Sequence, residues 1–215
     1  MRLLLLSLAL SSCSTFSLYQ NAIQEFKILL DPIDLDTAKI IKNIPYASIY
    51  TITNSSSSIM VLKEDVNDRL TWVDSLGSGI TTHNGEVIKT FGLKNDFEIY
   101  SNNNLKNIFK KVRFNKNNNI KVQSYIKFNS PETYQLQKVS NFYFVKETKV
   151  RNLIHSDLMQ TSLIKEEFEV DSIKWKGTNF YWVTDENRVI LSKQNITPYL
   201  KIRIQEGKTY IKKAS

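Results

Sequence analysis

The stretch WVDSLGSGITTHNGEVIKTFGL, residues 72–93, decides the fold class of this chain. At its centre lies Asn84-Gly85, a dipeptide favoured in type I′ turns because both central residues take a positive φ. Short runs rich in β-branched residues flank the turn, Ile80–His83 before it and Glu86–Phe91 after it. Two such runs joined by Asn-Gly predict a tight β-hairpin, behind which Trp72 supplies a large apolar side chain.

Similar strand patterns continue on both sides of this hairpin. Strand-like runs separated by turn residues cover 46–53, 59–62, 70–73, 120–128, 133–149, 163–175, 179–184 and 188–192. Gly177 is expected to end the run 163–175, and a last hairpin is expected between 200–204 and 210–211. Short strands at this spacing predict an all-β fold, either an antiparallel sandwich or a barrel-like β domain.

Helical patterns are short and few. Pro32, three aspartates in the first turn and the stop at Asn43 and Pro45 predict a short helix over Ile33–Lys42, before the main fold. Leu105–Phe109 is expected to form a helical turn, and residues 116–119 are expected to form a loop.

The N-terminus has the pattern of a secretory signal. A charged start, Met1-Arg2, precedes the apolar run Leu3–Leu10, which is far shorter than the roughly 20 residues that span a bilayer. Leu10-Ser11-Ser12-Cys13 then matches the bacterial lipobox, in which the cysteine sulfur takes a diacylglyceryl group. Cys13 is the only cysteine, so it has no disulfide partner within the chain. The alternative is an ordinary cleaved signal with an incidental cysteine.

These signals give an expected domain organisation. Residues 1–12 are interpreted as a lipoprotein signal peptide, 13–31 as a lipidated tether that is either extended or a short helix, and 32–215 as a single β-rich domain. Membrane attachment is expected through the lipid on Cys13. Ser14, where enteric lipoproteins retained in the inner membrane have aspartate, indicates the outer membrane.

The chain is basic, with 29 Lys and Arg against 21 Asp and Glu and a net charge of +8. A positive balance suits acidic polysaccharide, anionic lipid or nucleic acid. The secretory address and the lack of an Arg-rich or aromatic nucleic-acid motif argue against nucleic acid.

Four segments together resemble one known family. They are the lipobox at Cys13, IPYAS at Ile44–Ser48, the opening stretch Trp72–Leu93, and NFYWVTDENRVILSKQNITP at Asn179–Pro198. In this order they are similar to the YjbF/GfcB family of outer-membrane lipoproteins, which are tied to exopolysaccharide and group 4 capsule production. Residues 102–151 match nothing in that pattern.

The resemblance implies a function in the cell envelope. We expect a periplasm-facing outer-membrane lipoprotein that assists secretion or assembly of a surface exopolysaccharide or capsule without catalysis. Polysaccharide-export proteins are expected partners. The alternatives are a periplasmic enzyme that modifies the polysaccharide and an envelope scaffold without glycan contact.

Catalytic groups are sparse in the sequence. His155 with Asp157 and a serine is the one arrangement open to Ser/His/Asp chemistry, while His83 adjoins a turn and is expected to be exposed. Glu166 and Glu167 are adjacent on a strand and therefore point to opposite faces, which is poor geometry for a shared acid–base pair. No nucleophile-elbow, zinc or phosphate-loop motif is present, so no catalytic residue, metal site or cofactor is predicted.

Aromatic residues in strands are the better candidates for contact with sugar. Trp72, Tyr181 and Trp182 are the residues we single out, with burial in the core as the alternative for each. Because neighbouring side chains alternate across a strand, Tyr181 must face opposite to Trp182.

Overall fold

The computed structural model describes residues 35–54, 56–93, 95–129, 132–133, 135–155 and 157–211. The predicted signal peptide at 1–12, Cys13 and the tether at 13–31 lie outside these residues. The chain divides into two compact units, 1–37 and 38–215, and the sheet described below belongs to the second.

Strands dominate the described chain, and two α-helices and one 3-10 turn interrupt them. In chain order the elements are α1 Leu35–Asn43, β1 Ser48–Thr53, β2 Ser57–Val66, β3 Arg69–Val73, β4 Gly79–His83, β5 Glu86–Phe91, β6 Phe97–Tyr100, α2 Leu105–Phe114, β7 Ile120–Phe128, β8 Leu136–Arg151, β9 Leu158–Val170, the 3-10 turn Asp171–Ile173, β10 Trp175–Val183, β11 Val189–Asn195 and β12 Lys201–Glu206.

The twelve strands form one closed antiparallel barrel in which each strand pairs with its neighbours in sequence. The first and last strands close it, with a register that runs from Ile49 opposite Glu206 to Thr53 opposite Ile202. Closure leaves no strand with a free hydrogen-bonding edge. The predicted all-β antiparallel fold with a short helix before it is therefore confirmed, and of the two expected architectures the barrel is present.

Hydrogen bonds connect two walls of the barrel across its interior. The Val87 amide of β5 donates to Oε1 of Gln194 on β11 at 2.9 Å, and Nε2 of Gln194 donates to the Gly85 carbonyl at 2.8 Å. Since β5 and β11 are not neighbours in the sheet, these bonds cross the interior and hold two opposite walls together. The larger apolar core fills the space around this contact and comprises Ile49, Met60, Trp72, Ile80, Val87, Phe97, Ile126, Phe128, Phe168, Val170, Trp175, Ile196, Ile202 and Ile204.

The Asn84-Gly85 turn joins β4 to β5 as predicted. Asn84 has φ 51° and Gly85 has φ 86°, the positive values that a type I′ turn requires. Gly85 also lies against another strand, because a Cβ built there would be 2.4 Å from Cβ of Val189 on β11. Glycine is therefore needed at this position both for backbone conformation and for the close approach of the two walls.

Helix α2 covers one end of the barrel. Its four buried side chains are Leu105, Ile108, Phe109 and Val112. They pack in a second apolar core with side chains from β8, β9 and β10, namely Phe142, Ile164, Tyr181 and Val183. A barrel of twelve strands is wider than the eight-stranded barrels that their own side chains fill, so an inserted helix completes the packing.

Three sequence expectations are wrong in detail. Gly177 lies inside β10, and the preceding strand ends instead at the 3-10 turn Asp171–Ile173. Residues 210–211 form no strand, because β12 already has β1 and β11 as its two neighbours. The helical turn expected at Leu105–Phe109 is a longer helix, since its apolar side chains find partners inside the barrel.

Candidate functional site

A cluster of charged side chains lies inside the barrel between the two apolar cores. Lys138 on β8 is 3 % exposed and Glu166 on β9 is 1 % exposed, and Lys138 Nζ is 2.6 Å from Glu166 Oε1. Oε1 of Glu86, on β5, is 3.7 Å from the same Nζ. Lys138 Nζ also lies 4.6 Å from the centre of the Phe168 ring, a distance at which cation and ring attract.

Both carboxylate oxygens of Glu166 are engaged. Ser140 Oγ donates to Oε1 at 2.6 Å, while Asn179 Nδ2 and the Tyr181 hydroxyl donate to Oε2 at 2.8 and 2.9 Å. Strand register explains this convergence, because Asn179 stands directly opposite Glu166 on the neighbouring strand. A buried carboxylate with this many donors is held in its ionised form.

The three ionisable groups have different proton affinities. Burial raises the pKa of Glu86 to about 7, because Lys138 only partly offsets the loss of water and the charge of Glu166 adds to it. Burial acts on Glu166 in the same direction, but Lys138 and the hydrogen-bond donors outweigh it and lower its pKa. Burial opposes the charge of Lys138, and the two carboxylates outweigh that effect and raise its pKa. The pair Lys138–Glu166 is thus ionised at neutral pH, and Glu86 titrates there.

Burial also raises the pKa of Tyr181 well above its usual value, and the negative charge of Glu166 acts in the same direction. The phenol therefore remains a hydrogen-bond donor, consistent with its bond to Glu166. This is the role in which the structure places Tyr181, one of the three aromatic residues singled out from sequence.

A cavity of about 460 Å³ opens at one mouth of the barrel, and we call it the mouth cavity. Its walls come from the tips of the β4–β5 and β10–β11 hairpins, from β3 and from β12, so the two signature stretches at 72–93 and 179–198 meet there. Trp72 lines it and donates from Nε1 to Thr82 Oγ1 at 2.9 Å. Arg188 and Glu206 form an ion pair at its rim.

The three aromatic candidates are all buried, with exposed fractions of 5 % for Trp72, 0 % for Tyr181 and 5 % for Trp182. Tyr181 and Trp182 face opposite sides of the sheet, as the alternation predicted. Trp182 lies outside the barrel, opposite Leu163 and Leu191, which are also buried. Of the three, Trp72 lines the mouth cavity. Contact of these residues with a glycan stays a prediction.

Neither candidate histidine is a member of the ionic cluster of Lys138, Glu86 and Glu166. His83 lines the mouth cavity, where burial and the charge of Arg69 lower its pKa and Asp68 partly opposes them. His155 is exposed, and its backbone amide donates to Asn152 Oδ1 at 3.1 Å. Among the described residues, no group of three or more His, Cys, Asp and Glu side chains is arranged to hold a metal ion.

Sequence reasoning placed one member of the cluster correctly and missed the others. Glu166 and Glu167 do point to opposite faces, with side-chain exposures of 1 % and 49 %. Lys138 carried a usable signal, because in a long strand it alternates with Val139 and shares a face with Ser140 and the apolar Phe142, which predicts an inward position. Glu86 carried no such signal. It directly follows the turn, and the pairing of its strand with β4 shifts register at a bulge between Thr81 and Thr82.

Helix α2 carries a basic outer surface. Arg113 pairs with Asp185, and Lys116 Nζ lies 3.1 Å from Glu147 Oε1. Lys106, Lys110 and Lys111 are exposed, and no carboxylate of the described chain pairs with them. The exposed face of the helix is therefore a net positive surface.

Comparison with known proteins identifies the family. The profile of the family described as group 4 capsule polysaccharide lipoprotein gfcB, YjbF matches residues 30–206. The chain belongs to this family. The match covers the whole barrel as far as the end of β12 and confirms the resemblance seen in the sequence.

One solved structure supports the fold. The crystal structure of the hypothetical lipoprotein YmcC from Escherichia coli K12 aligns with a TM-score of 0.68 at 17 % identity, and the alignment covers 81 % of this chain and 89 % of that one. A putative lipoprotein from Parabacteroides distasonis aligns with a TM-score of 0.38 at 10 % identity over 75 % of this chain and 92 % of that one. No curated protein matches the chain. None of the helices within the described residues is long and apolar enough to cross a bilayer.

Proposed function

We propose that this member of the capsule lipoprotein family is held at the outer membrane by lipid on Cys13 and faces the periplasm. There it assists the secretion or assembly of a surface polysaccharide without catalysing a reaction. The family match over residues 30–206 is the observation that carries this proposal. Membrane attachment would give a protein of this size a fixed place along the path of the polysaccharide.

The ionic cluster supports a non-catalytic role for the barrel. Glu166 and Lys138 are each almost fully buried and satisfy each other, so they stabilise the interior rather than face a substrate. Cross-barrel hydrogen bonds from Gln194 make the same point, because they fix two walls that an interior substrate would have to separate. We interpret the barrel as a rigid body with its binding surfaces outside or at the mouth.

The enzyme alternative has one specific observation in its favour. A carboxyl group with a pKa of about 7, such as Glu86, has the proton affinity that general acid–base catalysis requires at neutral pH. In the structure its nearest charged neighbour is Lys138, and its side chain is 12 % exposed. Glu86 is therefore the residue to which the non-catalytic function and the enzyme alternative assign the most different roles.

The test is complementation of a deletion strain with Glu86→Gln, which keeps the shape of the side chain and removes its titration. Surface polysaccharide is measured beside wild type and beside the double variant His155→Ala, Asp157→Ala. We expect all three to restore the polysaccharide to the same level. A Glu86→Gln protein that accumulates in folded form at wild-type amounts but restores nothing would support the enzyme instead.

A further inference from the structure

A large concave surface lies on the outer side of the barrel. This groove has a volume of about 1120 Å³ and runs across β7, β8, β9 and β10 to the 3-10 turn. We call it the outer groove. Lys138, Ser140, Glu166 and Asn179 point into the barrel from these strands, so the intervening residues point outward. The outward side chains that line the groove include Gln137, Asn141, Glu167, Glu169, Lys176 and Thr178.

The lining offers hydrogen-bonding groups that no described residue uses. Among the described residues, the side chains of Gln137, Thr178 and Lys121 have no hydrogen-bond or ion-pair partner. Nδ2 of Asn141 donates to no described residue, while its Oδ1 accepts from Asn119 at 3.3 Å. Amides, a hydroxyl and an ammonium group are the donors and acceptors that match the hydroxyl groups of a sugar chain.

The charges of the groove argue against a polyanion. Three carboxylates line it, on Glu167, Glu169 and Asp171, against the ammonium groups of Lys121 and Lys176. Each carboxylate is already paired with a lysine: Glu169 with Lys176 at 2.9 Å, Glu167 with Lys165 at 2.8 Å and Asp171 with Lys174 at 2.6 Å. With each of its carboxylates paired, the groove offers a polymer of regular negative charge no cluster of free positive charge, whereas an uncharged glycan would meet paired charges and free amides.

Exposed tyrosine rings lie beside the groove, on the strands next to Gln137. Tyr125 on β7 stands directly opposite Gln137 and is 44 % exposed. Tyr100 on β6 stands opposite Tyr125 on its other side and is 40 % exposed. Tyrosine has an apolar ring face with a polar tip, so an exposed ring next to free amides suits the mixed surface of a sugar.

A polymer also needs an open site. The mouth cavity has less than half the volume of the outer groove and is walled by strands and hairpin tips, so it accepts a chain end or a small molecule. The outer groove lies on the surface, where a long chain can cross it at any point along its length. This difference favours the outer groove for a polysaccharide.

We propose that the outer groove binds an uncharged, hydroxyl-rich stretch of a glycan chain, with Gln137, Asn141 and Thr178 as hydrogen-bonding residues and Tyr125 as the stacking platform. The proposal rests on the proposed function for the identity of the glycan. It names the contact surface by which the lipoprotein would hold the polysaccharide that it assists.

The test measures binding of three probes to the purified soluble protein without its signal and lipid. The probes are the surface polysaccharide extracted from the producing strain, neutral dextran and acidic polygalacturonate. The variants are Gln137→Ala with Thr178→Ala, and Tyr125→Ala. Tyr199→Ala is the matched control, because Tyr199 is 84 % exposed in the turn between β11 and β12, away from the groove.

We expect the strain's own polysaccharide to bind, with each groove variant weakening it by about tenfold and Tyr199→Ala leaving it unchanged; two lost hydrogen bonds correspond to roughly this factor. Equal binding by wild type and groove variants would overturn the proposal. So would the binding of none of the three probes. Binding of polygalacturonate alone, abolished by salt, would also overturn it and move the contact to the basic surface of α2.

The same variants separate this proposal from the proposed function. If deletion abolishes surface polysaccharide and the groove variants restore it fully, the proposed function stands and the groove proposal fails. If deletion has no effect on polysaccharide, the proposed function fails, and the binding measurement alone decides the groove.

Discussion

At the scale of single residues, the structure depends on a buried ion pair that is well supplied with hydrogen bonds. Lys138 and Glu166 lie 2.6 Å apart, and three uncharged donors complete the shell of Glu166. Taking both charges out of water is unfavourable, so removing one partner is expected to destabilise the protein far more than removing a surface pair would.

The first prediction concerns Glu166→Gln. We expect the free energy of unfolding at pH 8 to fall by about 3 kcal/mol, because Lys138 loses its ionised partner and Glu86, at 3.7 Å, only partly replaces it. Urea unfolding followed by tryptophan fluorescence measures this. Glu167→Gln is the matched control, since Glu167 is the outward neighbour, and it should change stability by less than about 0.5 kcal/mol. Equal losses in the two variants would contradict the account.

The second prediction concerns pH. The folded-state pKa of Glu86, about 7, lies above the usual 4.5, so the folded state binds this proton more tightly than the unfolded state does. The contribution of Glu86 to stability is therefore complete below pH 4.5 and is lost as pH rises through about 7. Glu86→Gln should remove a decline on the order of 3 kcal/mol between pH 5 and 8.

Urea midpoints of wild type and Glu86→Gln at several pH values check this. His83 has a lowered pKa and therefore the opposite effect on stability, but it is present in both proteins and its contribution cancels in their difference. Parallel pH profiles for the two proteins would show that Glu86 has an ordinary pKa.

From the sequence we could predict which face of a strand a side chain points to, but not how far apart side chains on separate strands lie. Alternation placed Tyr181 opposite to Trp182 and Glu166 opposite to Glu167, and the structure confirms both. Alternation could not predict that Lys138 of β8 lies close to Glu86 of β5, because that contact crosses the barrel between strands that are not neighbours.

At the scale of elements, local sequence signals predicted the Asn84-Gly85 hairpin correctly, but they predicted helix α2 too short. The Asn84-Gly85 turn was predictable because its φ requirements are local. The length of α2 was not predictable, because its apolar side chains pack against residues from distant parts of the chain. Its N-cap is Asn104, whose side chain accepts from the Asn107 amide at 3.2 Å. Gly177 was wrongly taken as a strand end; in the structure it lies under the ring of Phe168.

The third prediction tests α2 as the packing element of that barrel end. Phe109 is fully buried, with its ring centre 5.2 Å from that of Tyr181. Phe109→Ala should lower the free energy of unfolding by about 3–5 kcal/mol, because it leaves a cavity beside Tyr181. Phe114→Ala in the same helix is the matched control, since Phe114 is 78 % exposed and should change little. Thermal or urea unfolding of both variants gives the comparison.

At the scale of the whole molecule, strand spacing predicted an all-β antiparallel fold but could not choose between sandwich and barrel. The choice depends on whether β1 pairs with β12, a contact between residues about 150 positions apart in sequence. Both were reasonable because two walls of the barrel contact each other through Gln194, as the two sheets of a sandwich would. The expectation of a final hairpin failed for the same reason: β1 occupies the edge that residues 210–211 would have needed.

The fourth prediction concerns the anchor. Cys13→Ser should release the protein from the membrane fraction, because the acyl chains on the cysteine supply about 0.8 kcal/mol for each buried CH₂ group. Cell fractionation and immunoblotting measure this. A variant that stays fully membrane-bound and is processed normally would show that Cys13 is not the site of lipid attachment.

The most direct test of the central claim is to measure where the polysaccharide is found in a strain that lacks this lipoprotein. Surface and cell-retained polysaccharide are quantified separately, and the sugar composition of each is determined. We expect less polysaccharide at the surface, more retained in the cell and an unchanged composition, with wild type and Glu86→Gln both restoring the surface amount. An unchanged surface amount, or an altered composition that Glu86→Gln cannot correct, would contradict it.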